Sequence, residues 1–230
     1  MQVLRPITTA DFAALKQIAI ESGHGFTSLP VDDEQLKEKI DRAEKSFAKN
    51  INQPLDESYL FVLEDSETGE VIGTTAIEAA VGLSVPLYHY HLGKTVHHSP
   101  TLNVYNTVDI LSMCNDYTGC SEICTLFLRE NSRKGLTGRF LSRSRFLFMA
   151  QHSERFADTV IAEMRGVSDE DGHSPFWQWL QEHFFSIEFP QADHLVGLGD
   201  KVFISELMPK YPIYVNLLSK KAQAVIGNVH

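Results

Sequence analysis

Apolar residues fall in short blocks along this chain, and the block with the sharpest boundaries lies near its middle. Glu122-Ile123-Cys124-Thr125-Leu126-Phe127-Leu128 reads as a mostly buried strand, because a short apolar run bounded by turn signals suits a sheet interior. Asn131-Ser132-Arg133-Lys134-Gly135-Leu136-Thr137-Gly138 supplies the turn, and residues 139–151 a basic amphipathic helix. Upstream, Val3-Leu4-Arg5-Pro6-Ile7 predicts an opening strand. Phe12, Leu15, Ile18 and Ala19 recur at helical spacing behind Thr9, which can cap them. Residues 23–30 read as a loop, and Leu36, Ile40, Ala43 and Phe47 line one face of a charged helix over 32–50. Residues 59–65 and 70–78 form two strands around a turn-forming run, hence a hairpin. The stretch 82–106, rich in Tyr, His, Pro and Gly, predicts a further short hairpin or an irregular excursion.

Downstream, residues 158–164 predict a strand ending at Arg165-Gly166. Ser174 caps a helix with Pro175 in its first turn. Residues 184–189 read as extended, 201–208 as a strand or short helix, and 213–226 as helical in one or two pieces. No internal repeat, low-complexity tract or linker interrupts the pattern, so a single domain over 1–230 is expected.

Charge sharpens the picture around the central block. The chain carries a net charge of -10. Yet Arg129, Arg133, Lys134, Arg139, Arg143, Arg145 and Arg155 face only Glu130 and Glu154 in their stretch. A basic island in an acidic chain calls for an anionic partner. A strand that turns through glycine into a helix N-terminus exposes unpaired N–H groups at the positive end of a helix dipole, which binds phosphates. The overall acidity, with a pI near 5.4, argues against nucleic acid or a membrane surface as that partner. The start Met1-Gln2-Val3-Leu4-Arg5-Pro6 lacks signal-peptide character, and a cytoplasmic location is expected. Cys114, Cys120 and Cys124 are odd in number and crowded together, which suits reduced, buried thiols rather than disulfides or zinc.

His89, His91, His97 and His98 support a rival reading as a histidine-rich metal-binding protein. His89 and His91 share one strand face, but no carboxylate or cysteine is seen to complete a ligand set, so no metal is expected.

Longer runs point to one family. Thr27-Ser28-Leu29-Pro30, Phe61-Val62-Leu63-Glu64-Asp65-Ser66-Glu67-Thr68-Gly69, Leu102-Asn103-Val104-Tyr105-Asn106, Cys124-Thr125-Leu126-Phe127-Leu128, Ala162-Glu163-Met164-Arg165-Gly166, Ser174-Pro175-Phe176-Trp177-Gln178, Glu206-Leu207-Met208-Pro209-Lys210 and Val225-Ile226-Gly227-Asn228-Val229-His230 resemble the arginine N-succinyltransferase family, in register along the whole chain. The resemblance implies an α+β, GNAT-like acyl-CoA N-acyltransferase fold: a central mixed, largely antiparallel sheet flanked by helices. It implies transfer of succinyl from succinyl-CoA to the α-amine of L-arginine, and of ornithine in some members, in arginine catabolism. Succinyl-CoA is then a co-substrate, and no permanently bound cofactor is expected. The family's chains run on past residue 230 by a C-terminal third, so a catalytically impaired CoA-binding fragment is the alternative reading. Homo- or hetero-oligomers with related subunits are compatible with the resemblance.

By position, Leu126 matches the family's succinyl-CoA-binding leucine and His230 its proton donor. In this fold the pantetheine lies along the key strand, so Leu126, Phe127 and Leu128 offer it backbone groups. Arg133, Lys134, Gly135, Gly138 and Arg139 are expected around the pyrophosphate. Leu136 stands where the phosphate-turn pattern wants glycine, which predicts a re-registered turn. Glu163 is expected to receive the guanidinium of arginine and Arg165 an anionic group. The loop 23–29 should shape the acceptor pocket. As the last residue of the chain, His230 is expected to be loosely held.

Overall fold

The computed structural model describes residues 1–23, 26–197, 199 and 201–230. Its strands are β1 (Gln2–Pro6), β2 (Ser58–Asp65), β3 (Glu70–Glu78), β4 (His89–Ser99), β5 (Val104–Cys114), β6 (Ser121–Leu128), β7 (Val160–Ile161) and β8 (Ile213–Tyr214). Its α-helices are α1 (Phe12–Ser22), α2 (Asp33–Ala48), α3 (Thr137–Gln151), α4 (Pro175–His183), α5 (Phe189–Gly197), α6 (Val202–Leu207) and α7 (Lys220–Val225). No helix among the described residues is long and apolar enough to cross a membrane. Residues 1–85 with 117–163 form one compact unit and 86–116 with 164–230 a second, where the sequence pattern marked no boundary.

The first unit is built on a five-stranded sheet in the order β1-β2-β3-β6-β7. Its neighbours are antiparallel except β6 and β7, which run parallel. β2 and β3 are buried on both faces, as their near-continuous apolar runs require. One face packs Ile7, Leu15, Ile18, Leu36, Ile40 and Val62 with the α1 and α2 stripes. The other gathers Tyr59, Phe61, Ile77 and Ile123 with Phe148 and Met149 of α3. Asp32 caps α2 by accepting from the N–H groups of Glu34 (3.1 Å) and Gln35 (2.9 Å). Thr9 does not cap α1, whose N-cap is Asp11; Thr8 caps the 3-10 turn over Thr9–Asp11 that leads into the helix, and its N–H donates to Asp11 Oδ2 at 2.8 Å. Thr9 instead donates its N–H to Glu44 Oε1 at 3.0 Å.

Gly73 lets β3 lie close to β6. A Cβ there would stand 2.8 Å from Phe127 O and 3.1 and 3.2 Å from Leu128 and Leu141 side-chain atoms, and the backbone oxygen cannot swing aside. Gly73→Ala should therefore cost about 1–3 kcal/mol in urea unfolding, the usual toll of overpacking. An unchanged midpoint would mean that β6 yields freely here.

The second unit holds a three-stranded sheet, β4-β5-β8, and helices α4 to α7. Residues 82–106, left between a short hairpin and an irregular excursion by the sequence, contain the start of a long regular hairpin instead. β4 and β5 pair from His89↔Cys114 to Ser99↔Val104. Much of the hairpin is exposed, so its strands lack the apolar run that marks a buried one. Ser174 caps α4 as expected, accepting from Trp177 N–H. Residues 213–226 begin with strand rather than helix, because Ile213 and Tyr214 pair with Leu111 and Ile110. Helix α5 begins at Phe189, where the sequence suggested only extended chain.

Candidate functional site

The expected strand-turn-helix unit is present, and its strand carries a defect that the apolar pattern conceals. β6 pairs Thr74 with Phe127 and Ala76 with Cys124, so Thr125 and Leu126 together oppose Thr75. This is a β-bulge. Thr125 takes φ +53°, a left-handed conformation costing a β-branched residue roughly 1–2 kcal/mol. The Thr75 hydroxyl, opposite the bulge, is buried with no hydrogen-bond partner among the described residues. Leu126 is turned outward and is 41% exposed.

On its other side β6 meets β7 only at Ser121↔Val160 and Glu122↔Ile161. The Ser121 hydroxyl fixes that meeting point: it donates to Ala79 O (2.6 Å) and accepts from Ala157 N–H (2.8 Å). Beyond Glu122 no strand among the described residues pairs with this edge of β6. The strand predicted over 158–164 therefore shrinks to two residues, the two that pair with Ser121 and Glu122.

In the turn after β6, Leu136 keeps an ordinary negative φ of -102°. Gly135 takes φ +57°, the left-handed position, and α3 starts at Thr137 with no capping side chain. Thr137 N–H bonds Lys134 O at 3.3 Å and Phe140 N–H bonds Leu136 O at 2.8 Å. The N–H groups of Gly138 and Arg139 have no such acceptor among the described residues, as first-turn donors rarely do.

A cleft of about 440 Å³ lies against these features, lined by Leu126, Phe127, Leu128, Arg133, Lys134, Gly135, Gly138, Arg139 and Leu141. All eight residues expected around the CoA thus come together. Arg133 is held in place by donation from Nε to Leu128 O at 2.8 Å and lies over the Phe127 ring. The rest of the basic island is divided in its duties. Arg129 is bound to Glu21 and Glu70, beside a second cleft of about 450 Å³ whose wall includes both glutamates. Arg155 donates to Ser46 O, Tyr59 Oη and Lys49 O. Arg133, Lys134 and Arg139 remain as the cations of the first cleft.

The family model described as arginine N-succinyltransferase beta subunit matches residues 2–230. Arginine N-succinyltransferase from Enterobacter sp. (strain 638) is 53% identical over 230 residues, all of this chain and 67% of the relative. The protein of that name from Salmonella arizonae is 54% identical over the same shares. The chain belongs to the arginine N-succinyltransferase family. The solved arginine/ornithine succinyltransferase subunit AI from Pseudomonas aeruginosa superposes with a TM-score of 0.90 at 41% identity. The match covers 100% of this chain and 67% of that one. The fold is accordingly the α+β one of that succinyltransferase, with largely antiparallel strands and flanking helices.

Other residues singled out for the succinyltransferase chemistry lie apart from the cleft residues in sequence. Glu163 is exposed, two residues beyond β7 rather than at a strand end. It belongs to the first unit, whereas Arg165 and His230 belong to the second. The Arg165 guanidinium donates to Ser168 Oγ at 3.0 Å. His230 is exposed but not a loose end: its N–H bonds Arg165 O at 2.8 Å, and Val229 bridges Gly166. Two main-chain ties hold what terminal position alone left free. His24 and Gly25, within the loop expected to shape the acceptor pocket, lie outside the described residues.

Burial pushes the Cys124 thiol well above the usual cysteine range, which keeps it protonated and unsuited to attack a thioester. The histidine-rich stretch spreads along the β4–β5 hairpin: His97 tilts against Tyr214, and His98 meets Tyr105 edge-on. Contrary to the sequence reading, a cysteine and a carboxylate do join one of these histidines. His89, Cys114 and Asp116 offer ligand atoms within 4.8 Å of one another, brought together by antiparallel pairing across the hairpin.

Proposed function

We propose that this chain transfers succinyl from succinyl-CoA to the α-amine of L-arginine by direct attack in a ternary complex. The observation that carries the reading is the coincidence, in one cleft, of an open strand edge, free helix N-terminal donors and three cations. The pantetheine adds to the free edge of β6 through its two amides, as a short strand would. The pyrophosphate sits at the N-terminus of α3, on the N–H groups of Gly138 and Arg139, with Arg133, Lys134 and Arg139 supplying charge. A backbone N–H near Leu126 or Phe127 then faces the thioester carbonyl. One such oxyanion donor is worth about 3 kcal/mol.

The arithmetic asks little of any nucleophile on the protein. An α-amine with pKa about 8 is one unit from its free base at neutral pH, a cost of about 1.4 kcal/mol. Holding amine and thioester in line contributes about 7–11 kcal/mol. The amine nitrogen bonds the carbonyl carbon and gives up a proton to solvent, the C–S bond breaks, and the departing thiolate takes a proton. His230 is the proposed donor of that proton. Glu163 is the proposed contact for the guanidinium of arginine, and Arg165 is proposed to meet an anionic group.

The test is arginine-dependent release of CoA from succinyl-CoA by the protein and by a variant with Arg133 and Lys134 both changed to alanine. The variant's KM for succinyl-CoA should rise about tenfold or more, the loss of charge-assisted hydrogen bonds, with the KM for arginine little moved. A rise confined to arginine would place the phosphates elsewhere. No release from the unaltered protein would overturn the assignment.

A further inference from the structure

Arg145 is a buried cation with no counter-ion among the described residues. It is only 4% exposed on α3. Its polar contacts are to its own helix: Nε donates to Ser142 O at 3.1 Å and Nη2 to Ser142 Oγ at 3.0 Å. No carboxylate pairs with it among the described residues. Burial pulls its pKa down, the mark of a charge held away from water. An ion in that position is costly unless an anion meets it.

Its place along α3 suggests which anion. Leu141, one turn earlier, packs beside Leu128. Phe148 and Met149, one turn later, pack with Ile123. The helix thus runs back along β6, and Arg145 falls between these contacts, about 6 Å past Leu141. Two residues of strand cover about the same distance. Arg145 therefore stands level with Leu126 and Thr125, at the bulge where the sheet opens.

We propose that Arg145 binds the distal carboxylate of the succinyl group and so sets acyl-donor specificity. This rests on the reading of the β6 edge as the site of the acyl thioester. A thioester lying at the bulge would carry its acyl chain to the inner face of α3. Two methylenes separate the succinyl carbonyl from its carboxylate, and a guanidinium can receive that carboxylate through two parallel hydrogen bonds. A neutral acyl chain of the same length would leave the cation unpaired, and a site built for a polar group discriminates strongly against an analogue that lacks it.

The experiment is calorimetric titration of the protein with succinyl-CoA, butyryl-CoA and CoA, repeated for Arg145→Met and Arg145→Lys. Butyryl-CoA replaces the carboxylate with a methyl group at equal chain length. In Arg145→Met the preference for succinyl-CoA over butyryl-CoA should fall about 10- to 150-fold, the worth of a hydrogen-bonded charge. CoA affinity should stay constant. Arg145→Lys should keep part of the preference, and it serves as the deciding variant if Arg145→Met does not fold. The melting temperature of Arg145→Met should hold or rise, since a buried unpaired charge has been removed; a merely structural arginine would lower it. An unchanged preference in both variants overturns the role of Arg145 alone. If the unaltered protein binds neither thioester, the assignment of the β6 edge fails with it.

Discussion

Changing His230 to alanine is expected to lower kcat for arginine succinylation about 10²- to 10⁴-fold, the usual contribution of a general acid, while leaving succinyl-CoA affinity almost untouched. The substitution is a clean one. The features that hold this residue are main-chain: its N–H on Arg165 O at 2.8 Å and the bridge between Val229 and Gly166. Alanine preserves both. Steady-state kinetics beside calorimetric titration with succinyl-CoA separate the two effects. Unaltered turnover would remove His230 as the acid, leaving a thiolate that departs unaided. With a thiol pKa of about 8.5, that departure is not prohibitive.

Asp11→Ala should cost about 3 kcal/mol of folding stability. The carboxylate is buried and accepts four hydrogen bonds: two from Arg5 at 2.7 Å each, and the Thr8 N–H and hydroxyl at 2.8 and 3.0 Å. Removing one partner of such an ion pair strands the other; losses of about 3–5 kcal/mol are usual when both are fully buried. Arg5 retains Glu64 at 2.7 Å, which places the expected loss at the lower end. The effect has a pH signature. Arg5 beside Asp11 holds its carboxyl below the ordinary range, so the unfolded chain binds this proton more readily than the native one. The contribution is fully present above about pH 4, the unfolded value, and drains away as pH falls through the lower native value. Urea unfolding of both proteins from pH 7 downward should show the gap between them closing below about pH 4. A gap that is constant with pH would mean that the pair contributes packing rather than charge.

The parts of this molecule that were legible in the sequence are those whose determinants are close together in the chain. All eight residues expected around the CoA lie between Leu126 and Arg139, and they line one cleft because a strand, a turn and the first turn of a helix necessarily adjoin. Gly135 could be expected to take the left-handed backbone next to Leu136, since a glycine adopts it at little cost. Thr125 gave no warning. A threonine inside an apolar run advertises a regular strand, and its conformation is imposed by the pairing of β3 with β6. Arg145 looked like one more charge on a basic helix, because burial depends on what packs over a residue and not on the residue itself. The shortness of β7 and the union of His89 with Cys114 and Asp116 likewise arise from contacts across the fold.

The unfinished ladder beyond Glu122 has a cost in the absence of ligand. Unpaired main-chain groups beside the outward-turned Leu126 are the sort of template onto which a foreign chain can zip. A guest that brings its own amides to that border does for the sheet what a missing strand would have done. On this view the acyl donor is also a guardian: solutions of the protein should resist self-association better while it is bound, and the empty molecule is the one at risk of clumping.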